Sequence, residues 1–369
     1  MDEKDKKLTI VLASGGTGGH IFPAESLASE FIKYGHNAIL ITDKRYKKSM
    51  LTPDKMRVMI VDSSSTEGGV IGKLKSIWSL CLGILQAKKM LQDIKPNYVV
   101  GFGGYPSFPT MMAAVILRLN TAIHEQNSLM GRANRFFVRY VDVIATSYRE
   151  VKGINNKYHN KVILTGNPVR PEISSIRDYP YPQLNDGEYV HILVLGGSQG
   201  AKIFSDIVPG ALVLLASNLR SLIKIDQQCR KEDLSRVKKI YEDNNINADL
   251  ASFFEDVPSR IASTHLMISR SGASTIAEIT VAGVPSVLVP YPQATDNHQM
   301  ENAKTLEKRG AALIIEQKDF TSDVLAKQLK LFIDNPDILK KMASQAHEMG
   351  KNNAARKLMK VLVDKLDNK

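Results

Sequence analysis

The sequence predicts an α/β protein made of two doubly wound, Rossmann-like domains that face each other across a cleft. Three observations carry that expectation. Short apolar runs alternate with helical segments along the chain, the pattern of parallel strands covered on both faces. Glycine clusters at 15–19 and 196–200 each follow such a run directly and open two similar halves about 180 residues apart. A length of 369 residues exceeds what one hydrophobic core ordinarily organises.

In order along the chain, residues 8–14 (LTIVLAS) read as a strand that enters glycines, followed by a helix beginning near Pro23 and closed by Gly35. Proline suits a helix's first turn, where its missing N–H needs no partner, and glycine accepts the conformation that ends one. Strands follow at 38–42 and 58–61, then a helix over about 72–91, a strand at 98–101, a helix after Pro109, and short strands near Ala122 and Val143. Around Arg170 the pattern stops, and 179–188 (YPYPQLNDGE) reads as a connector. It restarts with a strand at 191–195 that runs into GGSQGAK and a helix, with further strands near 221–225, 266–269 and 286–290. The expected division is 1–170, 171–345, and a C-terminal helix at 346–369 that packs back on the first domain. In open parallel sheets ligands bind beyond the carboxyl ends of the strands, so the loops after the strands should form the site.

Composition excludes several classes. Hydrophobic residues at 43% and charged residues at 24% describe a packed globular protein. Cys81 and Cys229 lie far apart, which argues against a disulfide framework or a cysteine-rich zinc site and fits a reducing cytosol. The opening MDEKDKKLTIVL lacks a signal peptide's order, and no apolar run approaches the roughly 20 residues of a bilayer-spanning helix. The net charge of +11 sits in residues 1–170, with 24 Lys+Arg against 13 Asp+Glu, while the remainder balances at 25 and 25. So lopsided a field points to a polyanionic partner for the first half, nucleic acid or an anionic membrane surface, with a plain solubility surplus as the alternative.

The helix over 72–91 bears on that choice. Leu74, Ile77, Trp78, Cys81, Leu82 and Leu85 recur at helical spacing, Leu80, Ile84 and Leu91 widen the stripe, and Lys73, Lys75, Lys88 and Lys89 flank it. An apolar arc wider than one core face needs describes a helix that packs on its sheet with one edge and dips into an anionic bilayer with the other. Burial between two neighbours is the competing reading.

The loops carry the chemistry. Residues 15–20, Gly-Gly-Thr-Gly-Gly-His, allow backbone N–H groups to approach a phosphate at a helix start. A dinucleotide fingerprint would need glycine at position 21, where Ile21 stands, and there is no P-loop; Asp43 keeps a nicotinamide-dependent dehydrogenase as a weakened alternative. With a second glycine loop at 101–107 and a third at 196–200, where Ser198 adds a hydroxyl, the set exceeds what tight turns require and indicates a phosphate-rich substrate. Residues 270–278 (RSGASTIAE) begin a helix ending at Gly283, whose start suits a pyrophosphate and whose Glu278, read as a first-turn carboxylate, suits a ribose. The run 291–302 reads as a loop dense in amides and hydroxyls suited to a sugar. His20 is the candidate general base, the 124–127 cluster (His-Glu-Gln-Asn) holds the second candidate, and either histidine could equally hold a loop or cap a helix. No D-x-D, H-E-x-x-H or paired Cys/His spacing occurs, so no metal is expected; no cofactor is expected either.

As a set, GGTGGH at 15–20, GFGGYPS at 101–107, HEQN at 124–127, GNPVR at 166–170, GGSQGA at 196–201, RSGASTIAE at 270–278 and DNHQMENA at 296–303 resemble the MurG family. These bacterial N-acetylglucosaminyltransferases convert the lipid-linked muramoyl-pentapeptide of peptidoglycan synthesis into its disaccharide form. The resemblance implies the two-domain GT-B glycosyltransferase fold, with UDP-N-acetylglucosamine held mainly by the second domain and an inverting attack by the acceptor's C4 hydroxyl. It implies Ser198 at phosphate, Arg170 reaching the nucleotide sugar and the Phe254 backbone at uracil. Ala273, Ser274, Thr275, Ile276 and Ala277 would surround the pyrophosphate, Glu278 would bind ribose, and Gln299 and Asn302 the sugar hydroxyls. Thr17, Gly18, Gly19 and Asn127 would be contacts from the first domain, which also docks the lipid pyrophosphate, with His20 as base and Glu125 as its rival. The stretch 292–298, Pro106 and Phe108 depart from the family pattern, so no contacts are assigned there. The implied partners are UDP-N-acetylglucosamine, the undecaprenyl-linked muramoyl-pentapeptide and an anionic membrane surface, with no nucleic acid. The implied location is the cytoplasmic face of the inner membrane, held peripherally. A UDP-sugar epimerase of similar shape and a non-catalytic nucleotide-sugar sensor are the remaining alternatives.

Overall fold

The computed structural model describes residues 7–15, 18–46, 52–63, 70–184, 189–197 and 200–367, with the backbone alone over 70–77. Internal contacts divide the chain into two compact units, Met1–Arg170 with Asn353–Lys369, and Pro171–Asn352.

The first unit runs β1 (Thr9–Ala13), α1 (Gly18–Lys33), β2 (Asn37–Thr42), β3 (Arg57–Ile60), α2 (Val70–Ile94), β4 (Tyr98–Gly101), α3 (Ser107–Ile116), β5 (Thr121–Glu125), α4 (Arg132–Phe137), β6 (Val143–Thr146) and β7 (Val162–Leu164). Its sheet is parallel in the order β3-β2-β1-β4-β5-β6-β7. The strands are continuously apolar because both faces are covered. Ile10 and Leu12 of β1 join a core with Leu27 and Phe31 of α1, whereas Val11 and Ala13 join one with Met111 of α3 and Leu91 of α2. Helix α2 lies so close to the turn after β3 that a Cβ on Gly83 would meet the Asp62 carbonyl oxygen at 2.1 Å. Gln86, one turn on, grips the same residue, accepting from the Asp62 N–H at 2.9 Å and donating to its carboxylate at 2.8 Å.

The second unit runs α5 (Pro171–Ser175), β8 (Val190–Leu195), α6 (Lys202–Leu214), α7 (Ser217–Arg220), β9 (Ile223–Gln228), α8 (Leu234–Asp243), β10 (Asn247–Ala251), α9 (Val257–Ala262), β11 (Leu266–Ser269), α10 (Ala273–Ala282), β12 (Ser286–Leu288), α11 (His298–Glu307), β13 (Ala312–Ile314), α12 (Ser322–Asp334) and α13 (Pro336–Met349). Its parallel order, β10-β9-β8-β11-β12-β13, repeats the first six strands of the other sheet. The last helix, α14 (Ala354–Asp367), returns to the first unit, where Leu358, Met359 and Leu362 enter the core that contains α1.

Several boundaries differ from the sequence reading. Helix α1 starts at Gly18, so Gly18, Gly19 and His20 form its first turn and Pro23 falls in the second. First-turn N–H groups have no partner within a helix, which lets glycines stand there despite their low propensity. The boundary expected at 345 falls inside α13, and the chain passes between units at 352/353. Three edge strands lie outside the sequence reading: β7 (VIL) and β13 (ALI) are apolar but only three residues long, and β10 (NADLA) has no apolar run.

Candidate functional site

In the first unit, the carboxyl ends of the adjacent strands β1, β4 and β5 bring together the first turn of α1, the glycine loop 102–104 and the residues after Glu125. The His20 ring packs against Gly104, where a Cβ would meet its Cδ2 at 3.2 Å and its Nε2 at 3.5 Å. Its Nδ1 lies 3.3 Å from Gln126 Oε1. Gly18 adjoins Phe22, Gly19 faces open space, and Thr17 lies outside the described residues.

Glu125 is 1% exposed, and its carboxylate accepts four hydrogen bonds. Oε1 takes the backbone and side-chain N–H groups of Asn127 at 3.0 and 3.1 Å; Oε2 takes the Gly131 N–H at 3.0 Å and the Asn134 amide at 2.9 Å. These bonds curl 125–134 into a fixed loop ending in α4. His124 is fully buried; its Nε2 lies 2.9 Å from the Gly166 carbonyl, and its Nδ1 3.2 Å from Gln126 Nε2. Burial pushes its imidazole down to about 4, only partly offset by the Gly166 bond, so the ring is neutral near pH 7. His124 is thus a buried loop anchor. Arg170, the last residue of the unit's first segment, lies with its guanidinium 5.3 Å from the Phe22 ring centre on α1.

In the second unit, the turn after β8 closes so tightly that a Cβ on Gly196 would meet the Ala201 backbone nitrogen at 2.3 Å. The Gly196 N–H donates to Gln228 Oε1 at 3.0 Å, anchoring the turn to the end of β9. Ser198 lies outside the described residues. After β11, Arg270 donates to the Val289 and Pro290 carbonyls at 2.9 and 3.2 Å and to Gln317 at 2.7 Å, while burial lowers its basicity. Gly272 precedes α10, whose start contains Ala273, Ser274, Thr275 and Ile276, with Ala277 next; Gly283 ends the helix at φ 70°. Glu278 belongs to the second turn, not the first, and is 8% exposed. The run 291–302 is only half a loop: Asp296 and Asn297 adopt left-handed conformations and α11 begins at His298.

Gln299 and Asn302 therefore stand on a helix. The Gln299 side-chain oxygen accepts from the Tyr291 N–H at 3.0 Å, and its carbonyl accepts from Ser271 Oγ at 2.9 Å. Asn302 is fully buried and donates to the Ser271 carbonyl at 3.3 Å, tying α11 to the segment before α10. Phe254 is 5% exposed, with the Arg260 guanidinium 4.0 Å over its ring. Arg260 also pairs with Asp226 and Asp249 at 2.7 Å and Asp256 at 2.8 Å. Gln126, Asn134, Gln228 and Ser271 organise these loops although the sequence reading gave none of them a role; neutral amides and a serine leave no spacing signature.

The stripe expected on α2 divides. Gly83, Ala87 and Leu91 face the core, whereas Trp78 (68% exposed), Cys81, Leu82 and Leu85 (63% exposed) face outward; the side chains of Leu74 and Ile77 lie outside the described residues. Burial between two neighbours is thereby overturned for Trp78, Cys81, Leu82 and Leu85. Near the end of α4, Phe136 and Tyr140 are exposed, with Arg139 over both rings. Among the described residues no helix is long and apolar enough to cross a membrane.

The chain matches the glycosyltransferase family 28 N-terminal domain over 10–146 and the family 28 C-terminal domain over 191–361. With two doubly wound units, it is a glycosyltransferase of the GT-B type. It is 47% identical, over 95% of its length and 92% of the relative's, to the UDP-N-acetylglucosamine–N-acetylmuramyl-(pentapeptide) pyrophosphoryl-undecaprenol N-acetylglucosamine transferase of Rhodospirillum centenum. The protein of that name from Paramagnetospirillum magneticum is 44% identical over 98% of both chains. The crystal structure of Acinetobacter baumannii MurG superposes with a TM-score of 0.77 at 26% identity, covering 97% of this chain and 100% of that one. The chain belongs to the MurG family, and the epimerase and dehydrogenase alternatives give way to these matches.

Proposed function

We infer that this chain transfers N-acetylglucosamine from UDP-N-acetylglucosamine to the C4 hydroxyl of undecaprenyl-pyrophosphoryl-muramoyl-pentapeptide, converting lipid I to lipid II. The family match supplies the reaction. The observation that supports His20 over Glu125 as the base is the contrast between His20, half-buried in the first turn of α1, and Glu125, whose carboxylate accepts from four internal donors.

In this reading His20 Nε2 takes the C4 hydroxyl proton as the oxygen's electron pair forms the new bond to C1. The bond from C1 to the β-phosphate oxygen breaks on the opposite face, its pair leaves with UDP, and the anomeric centre inverts. The start of α10, Ala273 to Ala277, and the turn holding Ser198 offset the charge growing on the leaving diphosphate. Glu278 binds the ribose, the Phe254 backbone meets uracil, and Arg170 reaches the nucleotide sugar. Gln299 holds sugar hydroxyls with its amide N–H groups, while Asn302 acts from beneath by fixing Ser271. Thr17, Gly18, Gly19 and Asn127 line the acceptor side, and Glu125 positions Asn127.

The exposed Trp78, Leu82 and Leu85, with the basic balance of residues 1–170, support docking on an anionic bilayer, peripherally at the cytoplasmic face of the inner membrane. Assays with radiolabelled UDP-N-acetylglucosamine and the lipid-linked acceptor test the roles. His20→Ala should lower kcat about 1,000-fold with KM for the donor little changed, as expected for loss of a general base. Retention of activity by His20→Ala with its loss in Glu125→Gln would reverse the two assignments.

A further inference from the structure

We propose that Gln126 is a positioning residue that sets the tautomer of His20 through a hydrogen-bond relay starting at the Gly166 carbonyl. The relay rests on the reading of His20 as base, but its geometry can be tested without turnover.

The argument runs outward from the buried end. The Gly166 carbonyl can only accept, so His124 Nε2, at 2.9 Å, must carry the hydrogen. A neutral imidazole has one N–H, so His124 Nδ1 is bare and must accept from its neighbour, the Gln126 amide nitrogen at 3.2 Å. The same nitrogen donates to the His124 carbonyl at 3.0 Å, so two acceptors fix the orientation of the amide. A flipped amide would set its oxygen against both of them. Oε1 is therefore turned toward His20 and can only accept, which makes His20 Nδ1, at 3.3 Å, the N–H end of the ring. The basic lone pair then falls on Nε2, the ring atom beside Gly104.

Two features stiffen the relay. His124 and Gln126 are 0% and 1% exposed, so water does not compete for these bonds. Asn134 donates to the His124 carbonyl at 3.1 Å and to Glu125 at 2.9 Å, locking the strand end from which Gln126 projects. Burial also keeps His124 neutral through the working pH range, so the relay's inner end does not switch. A carboxylate at 126 would make His20 more basic, but buried against His124 Nδ1 it would be forced to protonate. An amide instead sets the tautomer with no charge.

The test is 15N NMR of the full-length protein labelled at histidine nitrogens, with the His20 signals identified by their loss in His20→Ala. The expected result is a bare Nε2 and a protonated Nδ1 on His20, and the reverse pattern on His124. Gln126→Met should abolish the Nδ1–H preference of His20 and lower kcat about 10- to 100-fold, with KM for UDP-N-acetylglucosamine within about twofold, as a tautomer effect on a base requires. Gln126→Glu, which as a protonated acid keeps both a donor and an acceptor, should restore the tautomer and most of kcat. An Nε2–H His20 in the unmodified protein overturns the relay, whether or not Gln126→Met folds. So does a Gln126→Met enzyme that loses donor affinity with kcat intact. The proposed tautomer together with an active His20→Ala overturns the base assignment and leaves the relay standing.

Discussion

The two units share a strand order yet secure their ligand-end loops by different means. In the first, side chains do it: Glu125, His124, Gln126 and Asn134 form a buried polar network that directs one histidine. In the second, a tight backbone turn carries more of it: Gly196 lies almost against Ala201, and single side-chain amides, Gln228 and Asn302, staple neighbouring loops. On the proposed mechanism the difference matches the chemistry each unit would serve. Moving a proton requires one ring in one tautomer, which takes a chain of directional bonds. Holding a diphosphate requires many N–H groups on one concave surface, which takes tight turns.

That contrast breaks most easily at Gly196. A side chain there has no room, since the obstruction is backbone, so the turn itself must move. Gly196→Val should weaken UDP-N-acetylglucosamine binding about 100-fold, near 3 kcal/mol, in titration calorimetry. Its binding to anionic vesicles should not change. Equal loss of both would mean that the turn supports the whole fold and not the donor site.

The polar network of the first unit predicts a pH signature that the second unit's turn lacks. His124 titrates at about 4 when folded and about 6.5 when unfolded, so the unfolded chain binds the extra proton between those values. Stability therefore falls as pH drops through this window and is fully present above it. Relative to His124→Phe, the protein should lose about 2 kcal/mol between pH 7 and pH 5 in urea unfolding. A constant difference between the two proteins would show that His124 binds its proton equally well in the folded and unfolded chain, so that burial does not disfavour the charged ring.

Glu278 tests the donor side at a single contact. Its carboxylate sits in the second turn of α10, past the helix start, where the proposed function gives it a ribose contact. Glu278→Gln should raise KM for UDP-N-acetylglucosamine about tenfold, the size of one charge-assisted hydrogen bond. A 2′-deoxy donor should show a smaller difference between the two proteins.

Much of this was legible in the sequence, and the exceptions share a cause. Strands such as Tyr98–Gly101 and Leu266–Ser269 are buried on both faces, so their apolar runs announce them. NADLA at β10 does not, because an edge strand buries little. The glycine loops were visible as composition, but His20 was read as the end of a loop when it belongs to a helix's first turn. Glu125 shows the deeper limit. As a residue type it fits a base, and only its four donors, two from Asn127 and one each from Gly131 and Asn134, reveal an anchor. Hydrogen-bond saturation is a property of three dimensions and leaves no trace in spacing.

The smallest expected effect concerns the exposed face of α2, in the unit that carries the basic excess. Helix α2 buries Gly83, Ala87 and Leu91 and turns Trp78 and Leu85 outward, so the exposed pair contributes little to the core. Replacing both with serine should leave thermal stability and the turnover of detergent-dispersed acceptor unchanged. On vesicles containing anionic lipid, binding should fall about fivefold, the scale of two partly inserted side chains supported by flanking charge. Leu331→Ser on α12, 44% exposed in the unit that lacks the basic excess, with 20 Lys+Arg against 23 Asp+Glu over 171–352, is the comparison and should not alter vesicle binding. If both sets weaken binding equally, the bilayer responds to general hydrophobicity. If neither does, the basic residues of the first unit act alone, and raising the salt should then release the protein completely.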